Sequence, residues 1–170
     1  MSLDRLSQGI LRRDEKAFAE LYEKTRVAVY SVCLSIVKNR GVAEELTQET
    51  FVTVWTKISD FRGRGLKTWL LKIAKNKALN ELRTRQREVT VDFFENEYMV
   101  GSFEIEPETG ILLKTALSRL DETDRQIVLL KNAGVTMKEI AVFLKIPRGT
   151  ASWRYSKALK NMKNYLENEK

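Results

Sequence analysis

Apolar and polar positions along the first ninety residues alternate with the period of a helix rather than a strand. Phe18, Leu21, Thr25, Ala28, Val32 and Ile36 fall on one face after Asp14, whose short carboxylate suits an N-cap. Asn39-Arg40-Gly41 is expected to close that helix. Val42, Leu46, Val54 and Ile58 then recur at helical spacing, with Phe51 and Trp55 adding large apolar surface. After a short Gly-containing connection, Phe61 to Gly65, a third pattern places Leu66, Trp69, Leu70, Ile73, Ala74, Ala78 and Leu82 on one broad arc. No stretch alternates with the period-two regularity that would demand a strand.

The opposite side of that third helix carries Lys72, Lys75, Asn76, Asn80 and Arg83, with Leu79 among them. Residues 62–87 hold nine Lys or Arg and a single acid, Glu81. A solvated surface face is the plainest reading of such a stripe. Near-absence of acids and amides interleaved with cations favour nucleic acid, since cations contact phosphate and amides hydrogen-bond bases. A membrane-surface helix would instead turn bulky aromatics toward the phase its basic flanks face.

The C-terminal third repeats the logic in shorter units. Thr136-Met137-Lys138-Glu139 has the spacing of a capping box and opens a helix with Ile140, Ala141 and Leu144 facing inward. Lys145-Ile146 form a turn, and Pro147 suits the first turn of a second helix, where its missing N–H costs nothing. Ala151, Tyr155, Ala158, Met162 and Leu166 make that helix's buried stripe, while Trp153, Lys157, Lys160 and Asn164 point away. Six basic residues and no acids lie between Ile140 and Leu166. The arrangement is a helix-turn-helix, whose second helix can enter a DNA major groove. The bland alternatives are an inert basic helix pair and a Trp153 packed into core.

Charge divides the chain. Residues 89–113 contain no Lys or Arg but six acids: Asp92, Glu95, Glu97, Glu104, Glu106 and Glu108. The net charge of +7 therefore conceals +13 over the remainder, from 30 basic and 17 acidic residues. Gly101, Ser102, Pro107 and Gly110 argue against one continuous helix here. The segment reads as a linker between two basic helical units, with an acidic loop inside one domain as the alternative. Its Phe93, Phe94, Tyr98, Met99 and Phe103 predict that it docks rather than floats.

Composition narrows the chemistry. The chain of 170 residues has no histidine and one cysteine, Cys33, so Ser-His, Cys-His and thiolate-rich zinc sites have no residues to form from. No Gly-rich phosphate cradle occurs, and nothing points to a cofactor, a metal or a catalytic residue. No apolar run approaches the roughly 18 residues of a membrane span, and MSLDRLSQGILRRDE lacks a signal-peptide core. A reducing cytoplasm is the expected setting.

With these motifs assembled, the chain resembles a bacterial sigma factor of the extracytoplasmic-function group, part of the sigma-70 family, nearly end to end. "DEKAFAELY", "AEELTQETFVTVW" and "FRGRGLKTWLLKIAKNKAL" are similar to that family's second region, and "ALSRLDETDRQIVLL" and "EIAVFLKIPRGTASWR" to its fourth. Together and in this order they are highly specific. The resemblance implies an all-α fold of two small helical domains, residues 1–90 and 109–170, joined by an extended acidic linker, 91–108. It implies a noncatalytic subunit that joins core RNA polymerase, finds promoter DNA and helps open it, in the cytoplasm at the nucleoid and without membrane insertion. By analogy Glu45, Leu46, Gln48, Glu49 and Phe51 would dock on the polymerase. Arg62, Arg64, Lys72, Lys75, Asn76, Asn80 and Arg83 would hold the minus-10 element. Arg148, Thr150, Trp153, Arg154 and Lys157 would read the minus-35 element, and the linker would thread through the polymerase. Family members often have an anti-sigma partner, which leaves room for one here. The competing reading is a helix-turn-helix regulator that acts without being a polymerase subunit. A third is a membrane or calmodulin-like-target helix at 62–87.

Two departures from the family pattern stand out. Arg64 replaces the usual acid in a loop that is one residue shorter, and Ser152-Trp153 replaces Lys-Ser on the recognition helix.

Overall fold

A computed structural model describes residues 3–88 and 107–168. Expectations that rest on residues 89–106, including the docking of Phe93, Phe94, Tyr98, Met99 and Phe103, lie outside the described residues. Among those described there are eight α-helices, one 3₁₀ turn and no strand: α1 (Leu3–Leu11), α2 (Glu15–Val37), α3 (Arg40–Lys57), the 3₁₀ turn (Ile58–Asp60), α4 (Leu66–Glu88), α5 (Pro107–Ser118), α6 (Glu122–Asn132), α7 (Met137–Leu144) and α8 (Arg148–Asn168).

Asp14 is the N-cap of α2, its carboxylate accepting from the backbone of Lys16 and Ala17. At the other end, Lys38 adopts a left-handed conformation and its N–H returns to the Leu34 carbonyl. Asn39 therefore does not close α2. Its side chain accepts from the Val42 N–H at 3.0 Å and opens α3, because its extended backbone leaves the side chain facing the next helix's unpaired donors.

α1 is an element the apolar pattern did not reveal. It packs on α2 through Leu6 and Ile10, and Gly9 permits the approach: a Cβ there would lie 2.7 Å from that of Ala17. α2, α3 and α4 form the body of the first unit, with Leu21, Val29, Val32, Leu34, Val54, Leu66, Leu70 and Leu71 at its centre. Phe18 packs edge-on against Trp55, and Tyr22 against Phe51.

In the second unit, Pro107 begins α5, and that helix runs through Gly110. Proline is tolerated in a helix's first turn, and one glycine inside a helix costs only about 1 kcal/mol. The α5–α6 turn is held by Arg125, whose buried guanidinium donates to the carbonyls of Leu117 (3.1 Å) and Leu120 (2.8 Å). Leu117 lies in the last turn of α5 and Leu120 just beyond it. The Thr136–Glu139 capping box is formed in full. Pro147 sits one residue earlier than expected, before α8, where its carbonyl accepts from Ala151.

The two units share apolar core. Ile127, Leu130, Val135, Ile140 and Phe143 join the cluster built by α2 and α4. A smaller cluster, Ala116, Leu117, Leu120, Val128, Leu129, Ala158 and Met162, holds α5, α6 and α8 together.

Candidate nucleic-acid interface

The chemistry of α4 is divided by what its cations meet. Lys67 lies 3.4 Å from Glu139 of α7, and Lys75 sits over the Phe143 ring at 5.3 Å. Lys77 reaches Glu49 of α3 at 3.4 Å, and Arg85 pairs with Glu81 one turn back. Lys72, Asn76, Asn80 and Arg83 are exposed and make no ion pair or side-chain hydrogen bond with any other described residue. Their spacing of four, four and three residues keeps them on one stripe. Lys75, expected beside them, is half-buried at the seam between the units.

The loop before α4 turns on two glycines. Gly63 and Gly65 have φ of 86° and 75°, which L side chains rarely adopt. Phe61 packs against Trp69 in a tilted arrangement, with ring centroids 5.5 Å apart. Arg62 and Arg64 are exposed.

On α8 the expected outward face is outward. Trp153 is 61% exposed, with the Lys157 ammonium 5.1 Å from its ring centroid, and Arg148 and Thr150 are exposed nearby. Arg154 is differently employed. Its Nε donates to Asp124 Oδ1 at 2.6 Å and its Nη2 to Asp121 Oδ2 at 2.7 Å, both on the α6 N-terminal side. The Asp124 hydrogen bond leads the causes that raise its pKa.

The exposed side of α3 presents Glu45, Gln48, Glu49, Val52 and Thr53, which with Lys77 line a groove of about 480 Å³. Leu46 and Phe51, expected on that surface, are 5% and 3% exposed and belong to the core instead. Helical geometry explains the correction, since a surface stripe of 45, 48, 49 and 52 turns 46 and 51 inward. Val52, 62% exposed, was missed: it sits one residue from a core aromatic, and only its position on the wheel marks it as surface.

Residues 21–88 match sigma-70 region 2, and residues 116–164 match sigma-70 region 4. The chain belongs to the sigma-70 family, in its extracytoplasmic-function group. It is similar to the ECF RNA polymerase sigma factor SigK of Mycobacterium tuberculosis strain H37Rv, 28% identical over 181 residues that cover 97% of this chain and 94% of SigK. SigK of Mycobacterium ulcerans is 27% identical over the same shares. Among solved structures, CnrH in complex with the cytosolic domain of CnrY superposes with a TM-score of 0.69 at 20% identity, covering 99% of this chain and 100% of that one. RpoE of Bartonella quintana, in complex with the anti-sigma factor NepR, gives 0.67 at 24%, covering 91% and 99%. These two establish the shared fold. As a sigma factor the chain directs RNA polymerase to promoters, and the paired regions disfavour a regulator working apart from polymerase. No described helix is long and apolar enough to cross a membrane.

Sequence reasoning missed Asp4. Its carboxylate accepts from the backbone N–H groups of Gly65 (Oδ2, 3.1 Å) and Leu66 (Oδ1, 2.8 Å) and so caps α4 of this sigma factor from 61 and 62 residues away. No local signal could have found it.

Proposed function

We propose that residues 1–90 bind core polymerase and the minus-10 element, that residues 109–170 bind the minus-35 element, and that 91–108 link them. The observation that carries this reading is the exposed, acid-free stripe Lys72, Asn76, Asn80 and Arg83 on α4. Cations with intervening amides, held on a helix whose other face packs into the core, match a surface that grips phosphates while contacting unpaired bases. Arg62 and Arg64 extend the stripe through the loop. Arg148, Thr150, Trp153 and Lys157 read the upstream duplex, with Arg154 supporting them from behind. Polymerase docks on the exposed α3 face of Glu45, Gln48, Glu49, Val52 and Thr53.

The protein is a noncatalytic initiation subunit working at the nucleoid in the cytoplasm. RpoE and CnrH were solved with NepR and with the cytosolic domain of CnrY, and a comparable anti-sigma partner belongs to this reading.

Core polymerase supplied with this chain and a genomic promoter library should initiate at a limited set of sites sharing two elements. Asn80→Ala should impair strand opening at those sites while polymerase binding stays near wild type. Failure to initiate anywhere refutes the reading, and equal loss of both activities in Asn80→Ala shows that Asn80 supports the fold instead.

A further inference from the structure

The Arg62–Gly65 turn is held by groups outside itself. Two left-handed glycines bring the chain round, and α4 then starts with no acid in its first turn. A helix N-terminus without a local cap leaves backbone donors unpaired and carries partial positive charge. Asp4 meets both demands, its two carboxylate oxygens accepting separately from Gly65 and Leu66. The carboxylate is itself fixed. It stands on α1, which is locked to α2 by the Gly9–Ala17 contact and by buried Leu6 and Ile10. On the far side of the turn, Phe61 is pinned against Trp69. Between these anchors Arg62, Gly63 and Arg64 are exposed, and a Cβ on Gly63 would meet no atom within 4 Å. The turn is thus a short bridge with fixed ends and an open, cationic crest.

We propose that Asp4 is a positioning residue for promoter opening, setting the Arg62–Gly65 crest at the height and angle from which it engages a minus-10 base. It touches no DNA. This rests on the reading that the crest and the α4 stripe hold the minus-10 strand. Losing both hydrogen bonds frees the Gly65 and Leu66 donors to water and lets the crest sample other orientations, which degrades discrimination more than affinity for polymerase.

The experiment compares full-length Asp4→Ala, Asp4→Asn and Asn80→Ala with wild type, each with core polymerase, on a promoter library randomised separately at the two elements. Assays run well below each variant's melting temperature. Asp4→Ala is expected to lower opening roughly tenfold and to flatten the minus-10 base preference, since hydrogen bonds to a charged acceptor are worth about that much. Its minus-35 preference and polymerase affinity should stay at wild type. Asp4→Asn, which keeps one acceptor oxygen, should fall between and serves if Asp4→Ala does not fold. An unaltered minus-10 profile in the Asp4 variants, with an altered one in Asn80→Ala, overturns the role of Asp4 and leaves the minus-10 reading standing. An unaltered profile in all three overturns the minus-10 reading itself. Proportionate loss of minus-10 use, minus-35 use and polymerase affinity shows that Asp4 supports only the fold.

Discussion

The guanidinium of Arg154 and the carboxylate of Asp124 meet at 2.6 Å, tying the recognition helix α8 to the start of α6. Asp124 is nearly buried there, and Asp121 holds the second arm of the same guanidinium while its other oxygen caps α6. Arg154 is thereby paired within the protein through both arms of its guanidinium.

Asp124→Asn and Arg154→Lys should each destabilise the protein by about 1–3 kcal/mol, because lysine cannot reproduce the two-armed geometry and asparagine weakens the stronger arm. Urea unfolding measures this. Both should also weaken use of the minus-35 element. Were Arg154 instead a phosphate contact, Asp124→Asn would release it and strengthen DNA binding.

Trp153 should behave in the opposite way. At 61% exposure it supports little of the core, so Trp153→Ala should change stability by no more than about 0.5 kcal/mol. Start-site mapping on promoters with varied upstream elements should show an altered minus-35 preference. Unchanged preference would remove Trp153 from the reading surface.

Neighbouring positions on α3 separate docking from folding. Leu46→Ala opens a cavity and should cost about 2–5 kcal/mol, visible in thermal or urea unfolding. Val52→Asp adds charge to an exposed site and should leave stability nearly unchanged while lowering polymerase affinity. Equal polymerase binding by Val52→Asp and wild type would move the docking surface elsewhere.

Burial pushes the Cys33 thiol from about 9 up to about 12. The thiol should stay protonated and unreactive toward aromatic disulfides at pH 8 until the protein unfolds. The folded state keeps a proton that the unfolded chain releases from about pH 9, so this group's contribution to stability is intact below that and declines as pH rises toward 12. Tyr30, also raised chiefly by burial, acts in the same direction. Unfolding free energies at pH 8 and in the alkaline range test the slope.

Much was legible in residue order because its causes are local. The capping box at Thr136, the cap at Asp14 and the inward stripes of α2, α4 and α8 each arise from residues within a turn or two of one another. So did the outward stripe Lys72, Asn76, Asn80 and Arg83, since a helix that buries one face must present the other. The sequence motifs alone carried the resemblance to a sigma factor that the two matched regions then bore out.

Tertiary structure decided which members of each basic face remain available. Lys67, Lys75, Lys77 and Arg154 look like their neighbours in a helical wheel, yet Glu139, Phe143, Glu49 and the Asp121–Asp124 pair claim them. It also decided that Asp4 caps α4 and that Ile127, Leu130, Val135, Ile140 and Phe143 share a core with the first unit. Periodicity reports only that a side chain seeks burial or a charge seeks a partner. Which partner it meets depends on contacts between distant segments, and those exist only once the helices have packed.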